Sequence, residues 1–161
     1  MAFRRTAVLA GCLALSSVAP ALAAEPVEPR AGATLVGTID FPRAQRMTIR
    51  TDATEGSRLI VNLGFNGRCR GGGLGELYAS NVRATPDVRV RDGRFAATLT
   101  GTIRNLGEGR TAALRWRLSG RFVQRDVAVA TVSGSGEVRL DGKTVSRCKI
   151  AAPADVRLTA R

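Results

Sequence analysis

The chain has 161 residues, with 25 Lys plus Arg against 13 Asp plus Glu, three Cys, five Phe, one Trp, one Tyr and no His. That length, with 44% apolar residues, is expected to build one core and hence one domain. The lack of His excludes Ser-His-Asp and Cys-His nucleophile systems and every His-based zinc site.

Residues 1–23 read as a secretory signal peptide. Arg4 and Arg5 form its charged start, Thr6 to Pro20 an uncharged apolar stretch, and Ala21-Leu22-Ala23 the small residues ahead of the cleavage point. The stretch is too short to span a membrane as a helix. Leu9-Ala10-Gly11-Cys12 also has the form of a lipoprotein box, which would anchor the chain at Cys12. The apolar run before Cys12 is too brief for that, so periplasmic or secreted export is the favoured expectation. Cleavage leaves 161 − 23 = 138 residues and, with two Arg and no acid removed, a charge of +12 − 2 = +10. It also leaves two cysteines, Cys69 and Cys148, which are expected to form a disulfide in an oxidising compartment.

Residues 24–33, with Glu25-Pro26-Val27-Glu28-Pro29, read as a flexible leader, and residues 34–161 as an antiparallel β domain. Strands are expected over Thr34 to Asp40, Arg46 to Thr51, Arg58 to Leu63 and Glu76 to Ser80. Between the last two, Gly64 to Gly75 reads as a loop carrying Cys69. Its run Asn66-Gly67-Arg68-Cys69-Arg70-Gly71-Gly72-Gly73 could form an anion-binding nest, but lacks the Gly-Lys-Ser/Thr ending of a phosphate loop, so a tethered connection is the plainer expectation.

Downstream the period is two. Phe95, Ala97, Leu99, Gly101 and Ile103 share one face, with Thr98, Thr100, Thr102 and Arg104 on the other. From Thr111 to Phe122, Ala112, Leu114, Trp116, Leu118 and Gly120 alternate with Arg115, Arg117, Ser119 and Arg121. Val156, Leu158 and Ala160 alternate with Asp155, Arg157 and Thr159.

A hairpin must place apolar side chains of both strands on one face, so its register is predictable. Asp92-Gly93 as a type I′ turn pairs Arg91 with Arg94, Val90 with Phe95 and Val88 with Ala97. Gly107-Glu108 as a type II′ turn pairs Ile103 with Ala112, Leu99 with Trp116 and Phe95 with Gly120. A three-residue loop at Gln124-Arg125-Asp126 pairs Leu118 with Val132 and sets Trp116 over Gly134. Asp141-Gly142 as a type I′ turn pairs Val138 with Val145 but would turn Arg147 inward. A bulge or shifted register is expected there, and the face of Cys148 stays open.

Gly101, Gly120, Gly134 and Gly136 fall on inner faces, where missing side chains let a sheet bend. The expectation is an all-β antiparallel meander closing into a small barrel, with a two-layer sandwich as the alternative. Arginines on the outer faces argue against a lipid-embedded barrel.

The functional candidates are few. Arg104, Arg115, Arg117, Arg121 and Arg139 are expected on one outer face, where guanidinium groups suit an anionic envelope glycan or lipid, or an acidic protein. Arg outnumbers Lys by 23 to 2, so part of this excess is general solubility charge. Nucleic acid is not the expected partner, because stacking aromatics are nearly absent from the polar faces. Asp52, Glu55 and Glu76 are the best acids for hydrolytic chemistry, yet no spacing pairs them, and no enzyme activity is expected. No metal or cofactor is expected, since neither a calcium loop nor a Cys/His cluster is present. Trp116 could line a cavity for an apolar ligand, the alternative function, although a core role suits it better. The leading expectation is an exported, non-enzymatic envelope domain that binds an anion through its Arg-rich face.

Overall fold

A computed structural model describes residues 25–40, 44–150 and 152–161. The signal peptide and Cys12 lie outside the described residues. Nine strands follow in chain order: β1 (Thr34–Asp40), β2 (Ala44–Thr51), β3 (Arg58–Arg70), β4 (Glu76–Arg91), β5 (Arg94–Ile103), β6 (Arg110–Gln124), β7 (Val127–Leu140), β8 (Lys143–Lys149) and β9 (Ala154–Ala160). No α-helix occurs among the described residues. All pairings are antiparallel, and they close one sheet into a ring running β1 to β7, then β9, and back to β1. β8 closes a second, smaller circuit, because it pairs with the end of β3 on one side and the second half of β7 on the other. β7 therefore changes partner midway: Val127 to Val132 face β9, and Ser135 to Leu140 face β8.

The ring forms because every long strand alternates in hydropathy and its turns preserve that alternation. Asp92 and Gly93 both have positive φ (51° and 67°), as a type I′ turn requires, and Val90 faces Phe95 while Arg91 faces Arg94. The next ladder places Ile103 opposite Ala112, Leu99 opposite Trp116 and Phe95 opposite Gly120, as predicted. Its turn differs from the type II′ expectation. Gly107, Glu108 and Gly109 all have positive φ, and Leu106 N–H donates to the Arg110 carbonyl, so three residues close the loop without changing the register. At the following turn the predicted partners meet, Leu118 with Val132 and Trp116 with Gly134, but by a different route. The loop is Arg125-Asp126, and a bulge between Phe122 and Gln124 supplies the extra residue.

At Asp141-Gly142 the expected irregularity is a bulge at Val145. Leu140 faces Lys143 and Arg139 faces Thr144, after which Val138 faces Ser146 rather than Val145. The one-residue shift turns Ser146 and Cys148 inward and leaves Arg147 exposed.

Two strand ends need correction upstream, those of β3 and β4. The segment from Gly64 to Gly75 is not a loop: β3 continues to Arg70 and only residues 71–75 form the turn. Asn66 and Gly67 are buried strand residues, which leaves no nest built on the whole Asn66-to-Gly73 run. β4 likewise extends to Arg91, with a bulge against β3 that Asn81 absorbs at φ 54°. The presumed leader also makes tertiary contacts. Val27 packs against the core, Pro29 is buried, and Arg30 N–H donates to the Arg125 carbonyl at 2.8 Å.

The inward faces form one apolar cluster. Trp116 lies at its middle, wholly buried, edge-on to Phe65 with ring centroids 6.4 Å apart. Its ring fills space that two glycines vacate, since a Cβ on Gly101 or Gly134 would stand 2.9 to 3.0 Å from its atoms. Phe95 covers Gly120 in the same way and meets Phe122 edge-on at 5.8 Å. Aromatic rings over strand glycines let long strands bend around a small interior without leaving voids.

Candidate functional site

The Arg residues of the candidate face descend from strand alternation. Arg115, Arg117 and Arg121 occupy outward positions of β6, and all three are exposed. Arg139 on β7 faces Thr111 of β6, so it shares that outer surface, and Arg104 follows the last residue of β5. The five are not equivalent. Arg139 donates to Glu137 at 3.3 Å, and Glu137 also lies 3.8 Å from Arg147. Arg104, Arg115, Arg117 and Arg121 have no ion pair among the described residues.

Following the ladders across strands shows what surrounds Arg121. Arg91 of β4 faces Arg94 of β5, Arg94 faces Arg121 of β6, Arg121 faces Val129 of β7, and Val129 faces Arg157 of β9. Four arginines thus stand in one cross-strand row with a single valine among them. None of the four has an acidic partner among the described residues. Like charges directly opposite on neighbouring strands, about 5 Å apart at Cβ, are destabilising. Beside this row lies a surface depression of about 680 Å³ lined by Arg94, Arg121 and Arg157 together with Ser119, Thr131 and Asp155. The Thr131 hydroxyl donates to Asp155 Oδ1 at 2.6 Å.

A second basic group surrounds Arg115 and Arg117. Arg115 faces Ser135, Ser135 faces Lys149 of β8, and Lys149 faces Arg68 of β3. Arg115, Arg117, Lys149, Ser133 and Ser135 border a smaller depression of about 410 Å³, which Trp116 and Gly134 also line. Among the described residues no hydrogen bond forms to the Trp116 Nε1.

Two features of this surface went unnamed in the sequence reading. Arg91 and Arg94 were legible, because the predicted registers Arg91 with Arg94 and Phe95 with Gly120 already imply Arg94 with Arg121; Arg157 joins them only through the β7–β9 pairing. Lys149 and Arg68 were not, because the bulge at Val145 and the true length of β3 set their positions.

The structure does not bring the three candidate acids together. Asp52 and Glu55 belong to the β2–β3 turn, whereas Glu76 opens β4 opposite Arg68. About ten strand residues, roughly 33 Å, separate the two places. Asp52 is committed to backbone: Oδ1 accepts from the N–H of Thr54, Glu55 and Gly56 at 2.7 to 3.1 Å, and Oδ2 from Arg58 N–H at 2.8 Å. Led by the Glu55 bond, these donors lower its pKa from 3.8 to about 2. Cys69 and Cys148 face each other across β3 and β8 and form a disulfide. No group of three or more metal-ligating side chains and no helix long and apolar enough to cross a membrane occurs among the described residues.

No protein-family model matches the chain, and the comparisons with curated proteins and with solved structures found no match.

Proposed function

We propose that the chain is an exported, non-enzymatic domain, a small β-barrel whose outer face over β5, β6, β7 and β9 binds an anionic component of the bacterial envelope. The observation that carries this reading is the row Arg91, Arg94, Arg121 and Arg157. Three of these cations are stacked on adjacent strands with no acidic partner among the described residues. Such a row costs stability in the free protein and is relieved when an anion sits on it. The disulfide between Cys69 and Cys148 fits an oxidising compartment. That bond and the signal-like sequence of residues 1–23 support periplasmic or secreted placement.

The test is binding of the chain beginning at Ala24 to purified lipopolysaccharide and to immobilised heparin. The reading requires affinity to fall steeply as salt rises from about 0.01 to 0.15 M, where the Debye length shrinks from about 30 to 8 Å. It also requires Arg94→Ser with Arg121→Ser, or Arg115→Ala with Arg117→Ala, to weaken binding without lowering the thermal midpoint. Binding indifferent to salt and to these variants would exclude it.

A further inference from the structure

Resting on that reading, we infer that the ligand is a linear acidic glycan lying along β6, which places one anionic group on each of two arginine poles and its uncharged hydroxyls between them. The first pole is Arg94, Arg121 and Arg157; the second is Arg115, Arg117 and Lys149. Both belong to the same outer face, because Arg117 and Arg121 are outward residues of one strand. Four residues of rise separate them, about 14 Å.

The ground between the poles decides the kind of ligand. The intervening cross-strand row is Ala96, Ser119, Thr131 and Asp155. Across β5, β6, β7 and β9 it holds two hydroxyls and a carboxylate and no cation, while Arg89 of β4 borders it only at the Ala96 edge, away from Asp155. Asp155 takes the Thr131 hydroxyl on Oδ1, while Oδ2 has no partner among the described residues. A ligand crossing this row should offer hydrogen-bond donors to Asp155 rather than more negative charge. Sugar hydroxyls do so. A nucleic acid strand or a packed anionic bilayer would set phosphates over the carboxylate, a like-charge contact that opposes binding. A glycan bearing spaced phosphate, sulfate or carboxylate groups satisfies all three zones, with guanidinium forks on the anions and short hydroxyls against the sugar.

Two linked contacts predict a length threshold, because the second contact becomes intramolecular only when the ligand spans both poles. The experiment measures the affinity of the chain beginning at Ala24, disulfide intact, for heparin-derived di-, tetra- and hexasaccharides, and for phosphatidylglycerol vesicles. Affinity should rise by at least about tenfold at the length that first bridges the poles, beyond its growth with charge alone. Arg94→Ser with Arg121→Ser, and separately Arg115→Ser with Arg117→Ser, should each abolish that step while short oligosaccharides still bind. Asp155→Asn, which keeps an acceptor for Thr131, should weaken discrimination against the vesicles. Smooth growth with charge, the same in wild type and both variants, would overturn the two-pole inference and leave general anion binding standing. Stronger binding to the vesicles than to the hexasaccharide would overturn the glycan assignment. Binding to none of the probes would remove both this inference and the reading beneath it.

Discussion

Arg94 of β5 and Arg121 of β6 face each other directly across the ladder, and no acidic side chain pairs with either among the described residues. Opposed like charges oppose folding, so this site is a place where stability and binding should move in opposite directions. Arg121→Glu would turn a repulsive cross-strand pair into an attractive one and stabilise the domain by about 0.2 to 1 kcal/mol. The urea midpoint should rise with an unchanged m-value, while affinity for heparin falls. A variant that lost stability would show that the row is not under electrostatic strain.

Gly120 should tolerate no side chain. A Cβ there would stand 2.5 Å from Phe95 Cζ and 2.6 Å from the Val129 carbonyl oxygen, and the latter cannot move without breaking the ladder. Gly120→Ala is expected to cost about 1 to 3 kcal/mol by overpacking, read from the denaturation midpoint. Gly73→Ala is the contrast in space alone. Nothing lies within 4 Å of its Cβ position, so its cost reflects only its φ of 68°.

Trp116 is the sole Trp and is wholly buried, so its fluorescence reports directly on the interior. Emission should be blue-shifted in the native protein and move to the red in a single step on unfolding. Trp116→Ala removes the ring that fills the space over Gly101 and Gly134 and should cost about 3 to 5 kcal/mol. A native emission already at the solvent-exposed position would contradict the burial.

The disulfide spans 79 residues and ties β8 to the end of β3. Cys69→Ser with Cys148→Ser should destabilise the chain by about 4.5 kcal/mol in the chain-entropy model. The two-state midpoint in urea measures this. Hydrogen exchange should show β8 losing protection before β5 and β6, because β8 meets β3 over only Arg68 to Arg70.

Asp52 gives the domain an acid sensitivity of defined sign. Its folded pKa of about 2 lies below its ordinary 3.8, so the charged form is favoured by folding. The stabilisation is present above pH 3.8 and is lost as pH falls toward 2. Asp52→Asn should lower the thermal midpoint at neutral pH, and its difference from wild type should shrink as the pH approaches 2. A difference that stays constant with pH would mean the backbone donors do not depend on the carboxylate charge.

The meander from Val88 to Leu140 is legible in the order of the residues alone. Alternation assigns each side chain a face, and short turns leave one register in which apolar faces agree, so Leu99 with Trp116 and Trp116 with Gly134 were readable in advance although the turns that deliver them differ from those expected. The outward placement of Arg115, Arg117 and Arg121 follows from the same period. Tertiary structure decided the rest. An irregularity after Asp141-Gly142 was legible but its place was not: one extra residue at Val145 reverses every later side chain, and the inward position of Cys148 and the placing of Lys149 beside Ser135 depend on it. Ring closure through β9, and with it the arrival of Arg157 in the arginine row, comes from pairings between distant strands. No local turn specifies those; they form because closure covers the sheet edges and buries both ends of the apolar face.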